Sequence, residues 1–400
     1  MIKTAGKLVA ISAIAGLAMM SAAQAEVLKL GLSGPKSGAA AAWGIGFEWA
    51  AKQAAEKINK EGGIKADGKT YTLEIISYDN QYNATEGAKV AQTLLNRDEV
   101  KFVVGSIGTA PVKALQSLSE RKGVLIFTTA WGPSAKGPNF PLTFTQINTP
   151  AEVLDQLYGY VAKQNPNAKT VAMLNPNDAT GQDTEKVAQQ SWKKLNVKVL
   201  ASDWYERGTT EFQPIATKLA TIKPDIIDLS TTPPTDAGAI LKELKVLGWK
   251  GVQVVSAGTS SSSLIKVAGD AVEGTYMGLA ADFDGPAATP IQRELNKGAT
   301  AANGDPLNVI TIGSWDAVMA LKAAIEKCKC TDPKKVAEAL PTIVFESSYG
   351  PAAFGAKDVY GTPQQLLVPT IVTQIKGGKV VEVQRVVPPE LEQRLKAAKK

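Results

Sequence analysis

Short apolar segments alternate with longer amphipathic segments along most of the chain. In residues 43–60 the apolar positions Phe47, Ala50 and Ala54 recur at spacings of three and four, which indicates a helix, and Gly62 ends it. The first part of the chain contains four short apolar runs that predict strands, at residues 27–31, 73–77, 100–105 and 125–129. Helical patterns separate them, at residues 43–60, 84–97 and 111–121. This alternation predicts a doubly wound parallel sheet with helices on both faces.

A second series of the same kind begins after Thr149. Its predicted strands are residues 170–174, 197–202, 226–229 and 252–256, and its predicted helices are 150–164, 180–194, 212–221 and 236–247. The pattern therefore indicates two α/β units joined near residue 148. The chain beyond Gly274 completes one or both units: it contains helical patterns at 313–327 and 332–340 and a predicted hairpin that turns at Gly377–Gly378.

The first 25 residues have the composition of a secretory signal peptide. Lys3 and Lys7 precede an apolar run over residues 8–20, and Ala23-Gln24-Ala25 has the small residues of a cleavage site. That run is short for a transmembrane helix. We expect cleavage after Ala25 and a mature protein in the periplasm.

Composition excludes several kinds of function. Without Lys3 and Lys7 the formal net charge falls from +6 to +4, and the excess is spread along the chain, so no nucleic-acid-binding surface is indicated. There is no histidine, which removes His-based nucleophile activation and imidazole metal sites. Cys328 and Cys330 could pair in an oxidising compartment, although closing so small a ring strains the disulfide. A surface feature between a helix and a turn is the simpler interpretation, and a metal or redox role is the alternative. We expect no enzyme activity, metal or cofactor.

Loops after the predicted strands are rich in hydroxyl groups and almost free of acidic side chains. Open α/β sheets bind ligands at this edge. The five loops cover residues 106–111, 128–132, 175–181, 230–234 and 256–263. They suit hydrogen bonding to an anionic oxygen, with Thr109 best placed because it opens a helix, and Thr129 lies in the next loop. Ordinary N-capping explains any one loop equally well; the five together favour a binding cleft.

Several short motifs in a fixed order resemble those of the periplasmic solute-binding proteins of branched-chain amino-acid ABC importers. They include Leu30-Gly-Leu-Ser-Gly-Pro35, Trp43-Gly44, Tyr78-Asp79-Asn80, Val103-Val104-Gly105 and Ala268-Gly-Asp-Ala-Val-Glu-Gly274. The resemblance covers residues 26–387. It implies a type I periplasmic binding protein fold, in which three hinge crossings join two lobes, near residues 146–150, 272–278 and 350–365.

The expected domain boundaries follow from that resemblance. After the signal peptide (1–25), residues 26–147 and 275–352 would form lobe 1. Residues 148–274 and 353–390 would form lobe 2, and residues 391–400 a C-terminal tail.

The resemblance also implies a set of ligand-binding residues. Thr109 and the backbone of Ala130, Trp131 and Gly132 match positions that hold the ligand carboxylate, and Trp43 matches an aromatic that lines the pocket. Two further aromatics of the amino-acid binders are replaced here, by Thr180 and Thr232. The acidic residue that pairs with the ligand amine falls near Gly258, where this chain has no carboxylate.

These departures point to a different ligand within the same kind of transporter. A buried ammonium without a carboxylate partner loses several kcal/mol, so an aromatic or other organic acid is favoured over a branched-chain amino acid, with Trp43 or Trp131 stacking on it. Asp236 could instead reach the cleft and restore amine binding. The expected partners are the small ligand and the ABC permease subunits, and the expected state is a monomer. The alternative is a ligand-sensing regulatory protein of the same fold.

Overall fold

The computed structural model describes residues 25–38, 40–257 and 260–398. The predicted signal peptide, apart from Ala25, and the predicted site residue Gly258 lie outside the described residues. The strands are β1 (Glu26–Gly34), β2 (Ile64–Ala66), β3 (Lys69–Asp79), β4 (Phe102–Ser106), β5 (Leu125–Thr128), β6 (Thr143–Thr145), β7 (Thr170–Pro176), β8 (Lys198–Tyr205), β9 (Ile226–Asp228), β10 (Val252–Val255), β11 (Tyr276–Met277), β12 (Val344–Ser347), β13 (Gly350–Gly355), β14 (Gln365–Leu367), β15 (Thr370–Lys376) and β16 (Lys379–Val386).

The helices alternate with these strands as the sequence pattern predicts. They are α1 (Ala41–Gly44), α2 (Phe47–Lys60), α3 (Ala84–Gln92), α4 (Thr109–Lys122), α5 (Pro150–Gln164), α6 (Ala179–Lys194), α7 (Gln213–Thr221), α8 (Pro234–Val246), α9 (Ser261–Ala268), α10 (Pro290–Asn303), α11 (Val309–Cys328), α12 (Pro333–Ala339), α13 (Lys357–Tyr360) and α14 (Pro389–Ala398). None of the helices in the described part of the chain combines the length and apolarity that crossing a membrane requires.

Two sheets define the two lobes. The first sheet has the strand order β12-β13-β14-β6-β5-β4-β1-β3-β2, and the second has the order β16-β15-β11-β10-β9-β7-β8. The central strands of both sheets run parallel, and antiparallel strands flank them. Central strands are buried on both faces, as the consecutive residues Phe102 and Val103 of β4 show with no exposed surface. The predicted α/β fold with two doubly wound lobes is therefore confirmed.

Three chain segments connect the sheets. The first runs from β6 to α5, the second follows β11, and the third joins β14 to β15. The side-chain amide of Asn148 in the first segment donates to the carbonyl oxygens of Val368 and Pro369 in the third, at 3.4 and 3.0 Å. These bonds hold the two segments side by side at the hinge.

The third crossing lies later in the chain than predicted. Residues 353–367 were expected in lobe 2, but β13 pairs with β12, and β14 pairs with β6, in the first sheet. β11, at residues 276–277, lies in the second sheet although lobe 1 was expected from residue 275. Short strands such as these carry no sequence signal for the sheet they join, because membership is decided by pairing with distant strands.

One expectation about the C-terminal part is also wrong. Residues 391–400 were expected as a tail, but α14 extends to Ala398 and buries Leu391 against the first lobe, while Arg394 donates to the carbonyl oxygen of Pro341 at 2.7 Å.

Cys328 and Cys330, whose pairing the sequence left open, form a disulfide at the C-terminal end of α11.

Candidate ligand-binding cleft

In each lobe the strand order reverses within the sheet, and this reversal places the loops that line the cleft. In the first sheet the chain leaves β1 towards β3 but passes from β4 towards β5, so the strand order reverses between β1 and β4. The second sheet reverses in the same way between β7 and β9. Adjacent loops diverge at such a point and leave a crevice at the carboxyl ends of the strands.

A small cavity lies between these loops. Its empty volume is about 320 Å³, including its opening to solvent. Residues from both lobes and from the crossings line it: Trp43, Tyr82, Ile107, Gly108, Thr129, Trp131, Ile147, Thr180, Thr231, Ala257, Leu279 and Ile310. No carboxylate is among these lining residues, and most of the wall is apolar or aromatic.

Thr109 is fully buried on the first-lobe side of the cavity, next to the lining residues Gly108 and Thr180. It begins α4 after Gly108, which provides no side-chain cap and has a φ of 94° that favours glycine. The N–H groups of Thr109 and Ala110, in the first turn of α4, therefore have no intrahelical acceptor, and Pro111 has no N–H. The Thr109 hydroxyl oxygen accepts from the Gly132 N–H at 3.1 Å and from the Thr180 hydroxyl at 2.9 Å. Since both acceptor positions are used, the hydroxyl proton of Thr109 is left for a further acceptor.

The amides of the loop after β5 are more occupied than the sequence suggested. The Ala130 N–H donates to the Thr128 hydroxyl at 2.8 Å, and the Thr129 N–H donates to the carbonyl oxygen of Ser106 at 2.8 Å. The Gly132 N–H is used by Thr109. These bonds fix the loop, so Ala130 and Gly132 hold Thr109 and Trp131 in place, and a ligand carboxylate would have to replace these partners to accept from the two amides.

In the loop after β9 of the second lobe the lining threonine is Thr231, one position before the predicted Thr232. Ser230 has a left-handed φ of 45°, which sets the direction of the following side chains. Asp228 at the end of β9 stabilises this turn by accepting from the Ser230 N–H at 2.8 Å. Thr232 is fully buried and lies outside the cavity lining.

Asp236 does not supply the missing carboxylate. Its side chain accepts from the Tyr205 hydroxyl at 3.1 Å and does not line the cavity. Burial raises the pKa of Asp236, and the Tyr205 hydroxyl and the Arg207 charge oppose that shift. Asp236 is therefore tied to Tyr205 in the second lobe.

Direct contacts already join the two lobes across the cavity. The Tyr82 hydroxyl of the first lobe lies 3.1 Å from the Thr180 hydroxyl of the second. The Ser134 N–H donates to Asp183 at 3.1 Å, also between lobes. A ligand that enters must replace the hydroxyl contacts, which makes Thr109, Thr180 and Tyr82 the groups that it meets.

Among the residues of this region that sequence reasoning missed are Tyr82 and Arg207. Tyr82 has a left-handed φ of 54° and is held by Asn80, whose side chain accepts from the Tyr82 N–H and donates to the carbonyl oxygen of Ile107. The guanidinium of Arg207 lies 4.5 Å from the ring centre of Tyr82 and 5.7 Å from that of Trp43. The Tyr78-Asp79-Asn80 motif could have pointed to Tyr82, but nothing in the sequence around Arg207 indicates that it reaches the other lobe.

The structure thus brings together most of the predicted site residues. Trp43, Thr129, Trp131 and Thr180 line the cavity. Thr109 is bonded to Thr180, and the indole nitrogens of Trp43 and Trp131 are buried without a hydrogen-bond partner among the described residues. Buried donors of this kind are satisfied by a ligand or by water.

Comparisons with known proteins agree with this architecture. Residues 27–379 match the family described as periplasmic binding protein. The leucine-, isoleucine-, valine-, threonine- and alanine-binding protein of Pseudomonas aeruginosa is 29% identical over 356 residues, covering 88% of this chain and 91% of that protein.

Solved structures share the fold. A leucine-binding protein of Thermotoga maritima superposes with a TM-score of 0.77 at 19% identity, covering 91% of this chain and 99% of that one. A Rhodopseudomonas palustris ABC-transporter solute-binding protein in complex with benzoate superposes with a TM-score of 0.75 at 18% identity, covering 90% and 97%. The match over most of the chain, with the two-lobed fold, shows that this protein belongs to the periplasmic binding protein family.

Proposed function

We propose that this protein is the solute-binding component of an ABC importer and that it captures a small carboxylate-bearing solute in the cleft between its lobes. The predicted signal peptide would place it in the periplasm, where it delivers the solute to the permease subunits. Closure of the lobes on the ligand is the mechanism, since a ligand that contacts both lobes shifts the population towards the closed form.

The observation that carries the proposal is the uncapped start of α4 beside Thr109. Its N–H groups, its helix dipole and the Thr109 hydroxyl proton all favour an anion. Aromatic side chains, Trp43, Tyr82 and Trp131, form the neighbouring walls. This combination suits a carboxylate attached to an apolar or aromatic body.

The absence of a carboxylate among the lining residues argues against the α-amine of an amino acid. An ammonium placed here would lose its water without gaining a charged partner, which costs several kcal/mol. Relatives named for branched-chain amino acids keep that class of ligand as the competing candidate, and a neighbour of the same fold that binds benzoate shows that the fold accommodates an aromatic acid.

Calorimetric titration of the mature protein with benzoate, 4-hydroxybenzoate, leucine and isoleucine tests the proposal. We expect an acid to bind and the amino acids to bind at least tenfold more weakly. Tight leucine binding without any response to the acids would contradict it.

A matched pair of variants tests the role of Thr109. Thr109→Val removes the hydroxyl at nearly constant volume, and Thr109→Ser keeps it. Hydrogen bonds to charged groups contribute about 1.5–3 kcal/mol, so we expect Thr109→Val to weaken acid binding by about 10- to 150-fold. Thr109→Ser should stay within a few-fold of the natural protein, and equal losses in both variants would contradict a role for the hydroxyl.

A further inference from the structure

Arg207 is a buried cation with unused hydrogen-bonding capacity. It follows β8 in the second lobe, and its side chain is 20% exposed. Its Nε donates to Asp178, but Nη1 and Nη2 are buried and have no hydrogen-bond partner among the described residues. Leaving charged donors unpaired in a protein interior is costly, so an acceptor is expected at this end of the side chain.

The geometry of the Arg207–Asp178 pair defines which acceptor fits the free nitrogens of Arg207. Asp178 contacts the guanidinium only through Nε, and its other oxygen accepts from the Gly181 N–H at 3.0 Å to cap α6. The terminal edge of the guanidinium, with Nη1 and Nη2 side by side, is left over. Two parallel N–H donors in this arrangement match the two oxygens of a carboxylate.

The guanidinium of Arg207 lies next to residues that line the cleft. The guanidinium lies over the rings of Tyr82 and Trp43, and both rings also form the wall of the cavity. The Tyr82 hydroxyl in turn contacts Thr180, which bonds to Thr109. Neither Thr109 nor Arg207 lines the cavity itself, but Thr109 is bonded to the lining Thr180 and Arg207 lies against the lining Tyr82. A ligand that separates Tyr82 from Thr180 would open the cavity towards both residues.

Two carboxylates and two positive groups lie around this edge. The N-terminus of α6, capped by Asp178, directs the positive end of its dipole to the same side, and the guanidinium keeps its charge at any physiological pH. Asp178 is bonded to the guanidinium, and the Arg207 charge also acts on Asp236. The preference for a carboxylate as the acceptor therefore rests on the two parallel free donors, which the two oxygens of one carboxylate satisfy together.

We propose that the ligand is a dicarboxylate, with one carboxylate at Thr109 and the second on Nη1 and Nη2 of Arg207. This inference rests on the proposed function, because it assumes that the cleft binds an acid, and it narrows the ligand to acids with a second anionic group at the far end. It makes Arg207 the residue that selects diacids over monoacids.

Matched ligands separate the charge of the second group from its shape. Benzene-1,4-dicarboxylate and benzene-1,3-dicarboxylate carry the second anion, 4-carbamoylbenzoate replaces it with a neutral group of the same shape, and benzoate lacks it. We expect the natural protein to bind one of the diacids at least tenfold more tightly than 4-carbamoylbenzoate in calorimetric titrations.

Two variants move this preference in opposite directions. Arg207→Met keeps an unbranched chain that can pack on Tyr82 and Trp43, and we expect it to reduce the diacid-to-amide ratio to about one. Asp178→Asn keeps a side-chain cap on α6 but leaves Arg207 without its anion, so we expect the ratio to rise. Asp178→Asn preserves the test even if Arg207→Met melts at a much lower temperature than the natural protein.

The outcomes distinguish the two proposals. Benzoate binding with a diacid-to-amide ratio near one in the natural protein would overturn the dicarboxylate inference and leave the proposed function standing. A diacid preference that survives Arg207→Met would overturn the role of Arg207. Binding of leucine and of none of the acids would overturn both.

Discussion

A single carboxyl group near the hinge should govern much of the pH dependence of stability. Asp316 lies in α11, is 1% exposed, and accepts hydrogen bonds from the N–H and the hydroxyl of Ser348. Burial raises its pKa from the ordinary value of 3.8 to about 7, and the two bonds from Ser348 offset part of that shift. Asp316→Asn keeps an acceptor for the Ser348 N–H and removes the titrating group.

The sign follows from proton binding in the two states. Between pH 3.8 and about 7 the folded protein holds a proton on Asp316 that the unfolded chain has released. The free energy of unfolding therefore falls as pH rises through this interval, and the loss is complete above pH 7. Each pKa unit corresponds to about 1.4 kcal/mol, so Asp316 accounts for at most about 4 kcal/mol between pH 4 and pH 7.5.

Urea denaturation at half-unit steps from pH 4 to 8, on the natural protein and on Asp316→Asn, measures this contribution. We expect the variant to gain stability relative to the natural protein as pH rises, by several kcal/mol over the range. Glu338→Gln, which alters an exposed carboxylate, serves as the control. A constant difference between the natural protein and Asp316→Asn at every pH would refute the reasoning.

Two further substitutions test the core and the closed cleft. In the second lobe the Tyr158 hydroxyl donates to Asp228 at 2.6 Å, and its ring stacks on Trp192, which donates to the same carboxylate. Tyr158→Phe should lower the free energy of unfolding by about 1–3 kcal/mol, measured by urea denaturation, and a loss below about 0.5 kcal/mol would contradict this. At the lobe interface, a Cβ at Gly132 would lie 2.3 Å from an oxygen of Asp183, so Gly132→Ala should disturb the contact of Asp183 with the Ser134 N–H and weaken acid binding several-fold with little change in melting temperature. Small-angle scattering should show a more open average shape, and adding Asp183→Ala should restore part of the affinity; unchanged affinity in Gly132→Ala would count against the closed contact.

Local sequence pattern predicted the elements that build the lobes and the edge where the cleft lies. The strand–helix alternation reflects periodicities that each segment carries by itself, and the hairpin at Gly377–Gly378 has the expected antiparallel pairing of β15 with β16. The sequence pattern did not predict sheet membership where pairing between distant strands determines it. β14 is three residues long, and only its neighbour β6 places it in the first sheet.

In the candidate site, too, some residues could be predicted from the sequence and others depended on the folded structure. Thr109 was predictable because it follows a strand and opens a helix, and topology brings such positions together. Trp43 and Thr180 were predicted from the family resemblance. Thr231 was missed in favour of Thr232 because the left-handed φ of Ser230 determines which hydroxyl faces the cavity. A one-residue difference of this kind depends on backbone dihedral angles that the sequence pattern does not specify.

Arg207 illustrates why specificity is harder to predict than fold. In the sequence it is one basic residue in a polar loop after a strand, where a solvated side chain is the usual outcome. Its role arises from three partners that are distant in the chain: Asp178 on its own lobe, and Tyr82 and Trp43 on the other. Since those partners meet only when the lobes face each other across the cleft, the charge that would select the ligand is a property of the closed pair of lobes. Ligand preference in this protein should therefore change through substitutions around Arg207 that leave each lobe, and the anion site at Thr109, intact.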